Sequence, residues 1–343
     1  MALRFLVVFG ASFLASLLLA RPVGRLGRRL GIVAVPGGRR QHPQPVPTLG
    51  GVVVGGGFAV GVALVYVLLP PAGNDRLLLR GVLIGLAVIF AGGLLDDWRE
   101  LPAGWLFALQ GAAAAAAIFF DVIVGRFTNP VTGLAVDFSQ ILSVVFTLFW
   151  VLGMVNTVNF LDGLDGLASG IGAIAALLFA WHSYSLGQVA VAAFPLALAG
   201  ALLGFLPFNF APARIFLGSG AFFVGYGLAT FSILAPAKIA TALLVLAVPI
   251  VDVAWQIGSR LRRGQSPFRG DRGHLHFRLA DSGLPTRTIV LAYYALAVCF
   301  GLIAILAPAP VKLFMLLLLT AAVIALFIIL VRRGKREDSV KAG

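Results

Sequence analysis

The chain has 343 residues, of which 60% are hydrophobic and 11% charged, with a formal net charge of +13. A soluble domain carries roughly a quarter charged residues, so an ordinary water-facing surface cannot be built from this composition. A single cysteine, Cys299, excludes an intrachain disulfide.

Apolar runs long enough to cross the hydrocarbon core as helices recur from end to end. Eleven are expected, over 3–20, 48–70, 79–95, 104–122, 138–157, 166–184, 188–207, 218–235, 237–257, 288–307 and 311–331. They do not alternate as barrel strands would, so the expected fold is all-α, a polytopic membrane protein. The first run, with its early Arg4, reads as an uncleaved helix rather than a removed leader. One transmembrane domain is expected over 1–331, with functional loops at 21–47, 95–103, 157–165, 208–218 and 258–287, and a basic tail at 332–343.

The charge is laid out by topology. Six arginines follow the first run, seven lie in 258–287 and five Lys or Arg form the tail, with Arg99 and Arg214 on the same side. The positive-inside rule puts that side in the cytoplasm, the N-terminus outside and the C-terminus inside. Topology therefore accounts for the basicity, and no nucleic-acid partner is expected.

Taken in chain order, the polar clusters collect on this same face. The segment 36–51, PGGRRQHPQPVPTLGG, sets Arg39, Arg40 and His42 before a glycine-rich helix start, an arrangement suited to phosphate. Asp96 and Asp97 end the third run, where the helix dipole disfavours carboxylates and an ionisable group is a functional candidate. The small-residue face at 111–117 permits close helix contacts and a homodimer. In 156–170, NTVNFLDGLDGLASG, a helix would align Asn159, Asp162 and Asp165 on one face, with Asn156 a step behind. Such amide and carboxylate oxygens suit Mg²⁺, with Mn²⁺ the alternative metal. The competing reading is a polar turn between two spans. Asp252 falls inside the ninth run. The loop 266–279, SPFRGDRGHLHFRL, brings Arg269, Arg272, His274, His276 and Arg278 together. Guanidinium forks recognise phosphates well, whereas four histidines and one cysteine in the whole chain do not complete a zinc site. The sum is chemistry between a soluble phosphorylated molecule and a membrane-borne phosphate. A transporter would place such groups near the midplane instead.

These motifs, with FNFAPARIFLG (208–218) and VPIVD (248–252) in order among them, resemble the polyprenyl-phosphate N-acetylhexosamine-1-phosphate transferases. This is the glycosyltransferase 4 type, and HLHFRL is similar to the undecaprenyl-phosphate GlcNAc-1-phosphate transferase branch, related to phospho-MurNAc-pentapeptide translocase. The resemblance implies transfer of a sugar-1-phosphate from a UDP-N-acetylhexosamine to undecaprenyl phosphate, releasing UMP, in envelope polysaccharide synthesis at the bacterial inner membrane. It implies catalytic roles for Asp96, Asp97, Asp162 and Asp165, and Mg²⁺ bound by Asn159 and Asp97. It implies substrate contacts from Asn156, Arg39, Arg40, His42, Asn209, Arg269, Arg272, His274 and His276. The family normally reads FLGDSGS, with the aspartate a metal ligand. Here 216–225 reads FLGSGAFFVG, and Ser219 stands after Gly218. A homologue that binds lipid phosphate or nucleotide sugar without turnover is the alternative this implies.

Overall fold

The computed structural model describes residues 1–35, 44–129, 131–234, 238–265 and 273–341, with side chains as far as Val331. It is a helical membrane protein. Each of the eleven apolar runs is helical, but they are unequal. Among the described residues, eight helices are long and apolar enough to cross a membrane, or up to nine if one bent pair counts as a span.

Those eight are α1 (Ala2–Leu30), α2 (Gly50–Leu68), α3 (Gly73–Arg99), α5 (Gln140–Leu161), α6 (Leu167–Ser185), α7 (Val189–Asn209), α12 (Thr286–Leu306) and the apolar part of α13 (Ala309–Lys341). Two shorter apolar helices, α4 (Ala103–Phe119) and α8 (Gly220–Ile233), have 17 and 14 residues. The bent pair is α9 (Lys238–Val245) and α10 (Ala247–Arg262), which meet at 77°. Pro249 explains the break: its ring excludes a helical carbonyl four residues back, at Val245, where α9 ends, and a first-turn position in α10 tolerates it.

α1 runs ten residues past the expected end. Arg21, Arg25, Arg28 and Arg29 are helical, and the helix stops at Gly31, whose φ of 72° supplies a left-handed cap. Two arginines in the last turn suit the negative end of the dipole.

α6, α7 and α8 form the buried centre. α7 packs against α1, α2 and α6, while α8 packs against α3, α5 and α6. Backbones approach closely here: a Cβ on Gly204 would collide with the Phe13 carbonyl of α1. Arg4 Nη1 donates to the Leu68 carbonyl, so the start of α1 lies beside the end of α2. That end of the bundle also carries the antiparallel hairpin of β3 (Arg126–Thr128) and β4 (Ala135–Asp137), between α4 and α5. The opposite end carries the end of α3, the α5–α6 turn and the 210–219 segment.

A second hairpin sits at the polar end. β1 (Val33–Ala34) pairs with β2 (Val46–Pro47) and closes the base of the expected phosphate loop. Arg39, Arg40 and His42 fall outside the described residues, as do Arg269 and Arg272.

Candidate active site

α3 carries Asp96 and Asp97 into its last turn, where the dipole alone would repel them. Backbone and hydroxyl donors offset that cost. Leu101 N–H donates to Asp96 Oδ1 at 2.8 Å, and Ser219 Oγ donates to Asp96 Oδ2 at 3.0 Å. Ser219 N–H, just before α8, donates to Asp97 Oδ1 at 3.0 Å. The positive end of α8 thus answers the negative end of α3. Asp96 spends both oxygens on protein donors, while Asp97 meets a protein donor at Oδ1.

The approach of Ser219 depends on Gly218. Its φ is 61°, and a Cβ there would strike the Thr48 carbonyl and lie 2.8 Å from Asp97 Oδ1. The strand-like stretch beside it is held by Phe216 N–H to Pro47 O at 2.8 Å, and by Gly50 and Gly51 N–H to Phe216 and Leu217 O at 3.0 Å each. The described base of the basic 36–43 loop is thereby fastened next to the acidic pair.

The aspartates of 156–170 arrive on a turn rather than a helix. α5 ends at Leu161, Asp162 is its C-cap, and Gly166 at φ 81° opens α6. The three-residue spacing therefore does not place Asp162 and Asp165 on a helix face. The turn brings them together all the same. Burial raises the Asp162 pKa well above the usual carboxylate range, and the neighbouring charges of Asp165 and Asp97 push it further; the Gly218 N–H pulls the other way. Asp165 Oδ2 accepts from Ala213 N–H at 2.8 Å, tying the turn to the 210–219 segment. Asn159 lies in the last turn of α5 and is partly buried, its carbonyl accepting Asp162 N–H at 3.2 Å.

Two of the expected substrate-contact residues are engaged inside the protein. Asn156 Nδ2 donates to Gln110 Oε1 of α4 at 2.7 Å. Asn209 is buried, accepting from Ser169 Oγ at 2.6 Å and donating to Ile215 O at 3.1 Å. It anchors the 210–219 segment.

His274 and His276 sit at the start of a short helix, α11 (Leu275–Asp281). Their rings stack 5.7 Å apart, and Phe160 of α5 stacks on His274 at 5.2 Å. A side chain at Gly163 would collide with His276 Nε2. The histidine segment therefore lies directly on the Asp162–Asp165 turn. Asp252 of α10 sits beneath both imidazoles; the sequence marked it as an acid in an apolar run but gave no sign of this contact.

The profile of glycosyl transferase family 4 matches residues 79–236. A decaprenyl-phosphate N-acetylglucosaminephosphotransferase of Mycobacterium tuberculosis is 35% identical over 305 residues, covering 80% of this chain and 75% of the relative. The chain belongs to glycosyl transferase family 4.

Two further relatives widen the comparison. A probable undecaprenyl-phosphate N-acetylglucosaminyl 1-phosphate transferase of Bacillus subtilis is 29% identical over 310 residues, covering 88% of this chain and 85% of its own. A phospho-N-acetylmuramoyl-pentapeptide-transferase of Staphylococcus aureus is 31% identical over 293 residues, covering 77% and 88%. The family match includes both acidic clusters and Ser219, and stops before Asp252 and the histidines. In this family 4 chain, Ser219 is a donor to the acidic pair through both its backbone and its hydroxyl.

Proposed function

We propose that this chain transfers N-acetylglucosamine-1-phosphate from its UDP ester to a polyprenyl phosphate, releasing UMP, on the cytoplasmic face of the bacterial inner membrane. The observation that carries this reading is the convergence of Asp97, Asp162 and Asp165 with the His274–His276 segment at one end of a membrane bundle. The names of the relatives supply the reaction type. The basic residues gathered towards the same end supply the orientation.

The balance of the reaction is simple. A phosphate oxygen of the polyprenyl monoester attacks the phosphorus that bears the sugar. The bond from that phosphorus to the bridging oxygen breaks, and UMP departs with the electron pair. The attacking monoester is already anionic, so positioning and charge neutralisation matter more than a strong base.

A divalent cation fits the acid set by donor chemistry. Among the described residues, no three His, Cys, Asp or Glu side chains enclose a metal by themselves. Mg²⁺ is ordinarily held by one or two carboxylates together with substrate phosphates and water. Asp97 and Asp162, whose charges already interact, supply that pair, with Asn159 in the adjoining helix turn. When bound, the ion would offset the charge of the diphosphate. Asp96, held at both oxygens, fixes the orientation of its neighbour. Asp165 fixes the turn through Ala213. His274 and His276 face the donor, and the bilayer beside the site holds the prenyl chain.

The test is release of UMP by purified protein from UDP-N-acetylglucosamine, with and without polyprenyl phosphate. Acceptor-dependent UMP is expected. Folded, lipid-loaded protein that yields none would leave a binding homologue as the better account.

A further inference from the structure

Asp252 is a buried carboxylate, 3% exposed, that the mechanism above does not use. Its Oδ1 accepts the Leu275 N–H at 3.1 Å. Its Oδ2 lies 3.3 Å from His274 Nδ1 and 3.8 Å from His276 Nδ1. One oxygen therefore meets the backbone between the two histidines, and the other lies at ion-pair distance from both rings.

The rest of the surroundings fix the same segment. Gln256, one turn along α10, donates its amide to the Gly273 carbonyl, and Arg278 Nε donates to that carbonyl at 2.8 Å. Phe160 stacks on His274 with the planes 26° apart, and Phe277 packs against His276 with ring centroids 4.3 Å apart. The imidazoles themselves are nearly parallel, at 13°. Stacking confines each ring to a plane but leaves it free to flip within that plane. The Asp252 carboxylate lies at the Nδ1 edge of both rings.

A carboxylate beside Nδ1 selects the form with a proton there and sets the ring's other nitrogen apart for a second partner. For His276 that second nitrogen lies against Gly163, in the acid turn. We infer that Asp252 is a positioning residue: from the bent span it holds both imidazoles by their Nδ1 edges against the acid turn, and so fixes the segment that meets the diphosphate of the nucleotide sugar. This rests on the reading of His274 and His276 as donor-facing groups. A bare role in capping α11 would need only the Leu275 contact.

Asp252→Asn separates the two roles, because its amide oxygen still accepts the Leu275 N–H while the charge facing the imidazoles is gone. The experiment measures UMP release by the full chain in lipid nanodiscs, varying UDP-N-acetylglucosamine and polyprenyl phosphate separately. The inference expects Asp252→Asn to raise the donor KM about tenfold, with the acceptor KM unchanged. In a His274→Ala/His276→Ala background, adding Asp252→Asn should change the donor KM less than about twofold, because the contact it breaks is already gone. Independent, multiplying effects would overturn the inference and leave Asp252 as a helix cap. A wild-type donor KM in the double histidine variant would overturn the donor-facing reading itself, a different result. Should Asp252→Asn not fold, His274→Gln serves instead, since it keeps a nitrogen near the Nε2 position and none toward Asp252. A donor KM as high as that of His274→Ala is expected, and a wild-type value would overturn the inference.

Discussion

Replacing Ser219 by aspartate puts the structure of the acidic pair under direct strain. Ser219 Oγ sits 3.0 Å from Asp96 Oδ2 as a donor. A carboxylate in its place loses the donor and sets like charges roughly 4 Å apart. At an effective dielectric near 20 that repulsion is about 4 kcal/mol. The site is partly exposed, so solvent screening brings the expected loss to about 2–3 kcal/mol. For a chain of 343 residues that corresponds to a fall in Tm of about 3–4 °C. Thermal unfolding in nanodiscs, in chelator and then in Mg²⁺, is the assay. Ser219→Asp should be clearly less stable than wild type in chelator and regain most of the difference in Mg²⁺. A variant as stable as wild type without metal would refute the placement of Ser219 on the acidic pair.

Three other perturbations follow from the same geometry. Gly218→Ala should remove activity, because a side chain at φ 61° would press on Thr48 O and Asp97 Oδ1; normal UMP release would exclude that close approach. Asn156→Ala strands the buried Gln110 oxygen and should cost about 1 kcal/mol of stability, read as a lower Tm. The raised pKa of Asp162 means the folded state holds a proton that the unfolded chain has already lost. In chelator, stability should therefore fall as pH rises from the ordinary carboxylate range through the elevated Asp162 value. Mg²⁺ should protect more at the upper end of that window, as followed by unfolding scans across pH. A metal-free stability that climbs with pH over the same interval would contradict the enclosure of Asp162.

The sequence carries the helices well because lipid leaves the backbone few alternatives. Each apolar run is helical, the ninth as the bent pair α9 and α10, and the acid pair, the acid turn and the histidine segment do meet at one end. The misses have local causes. Arg21 to Arg29 looked like a loop by charge, yet arginine is a good helix former and its stem can lie along apolar surface. The run 237–257 read as one span, yet Pro249 sits at a break where α9 and α10 meet at 77°. The 156–170 segment fitted both a helical face and a turn. Gly166, at positive φ, settles the turn, and no periodicity argument weighs that residue heavily enough. Asp252 was visible as an acid in an apolar helix, which is a sound signal by itself. Its partners lie more than twenty residues away, across a loop that hydropathy does not fold. Ser219 is the sharpest lesson: absence of a carboxylate read as a gap, whereas the structure fills the place with two donors aimed at Asp96 and Asp97.

The account stands on acids from α3 and from the α5–α6 turn working as a single cation-dependent centre. Its most direct measurement is a Mg²⁺ titration of UMP release by wild type and by Asp162→Asn, both confirmed folded. The account predicts a wild-type rate that rises from near zero with Mg²⁺, and a loss on the order of a hundredfold in the variant, the cost of roughly 3 kcal/mol of charge stabilisation. A variant that matches wild type in rate and in Mg²⁺ dependence would contradict it.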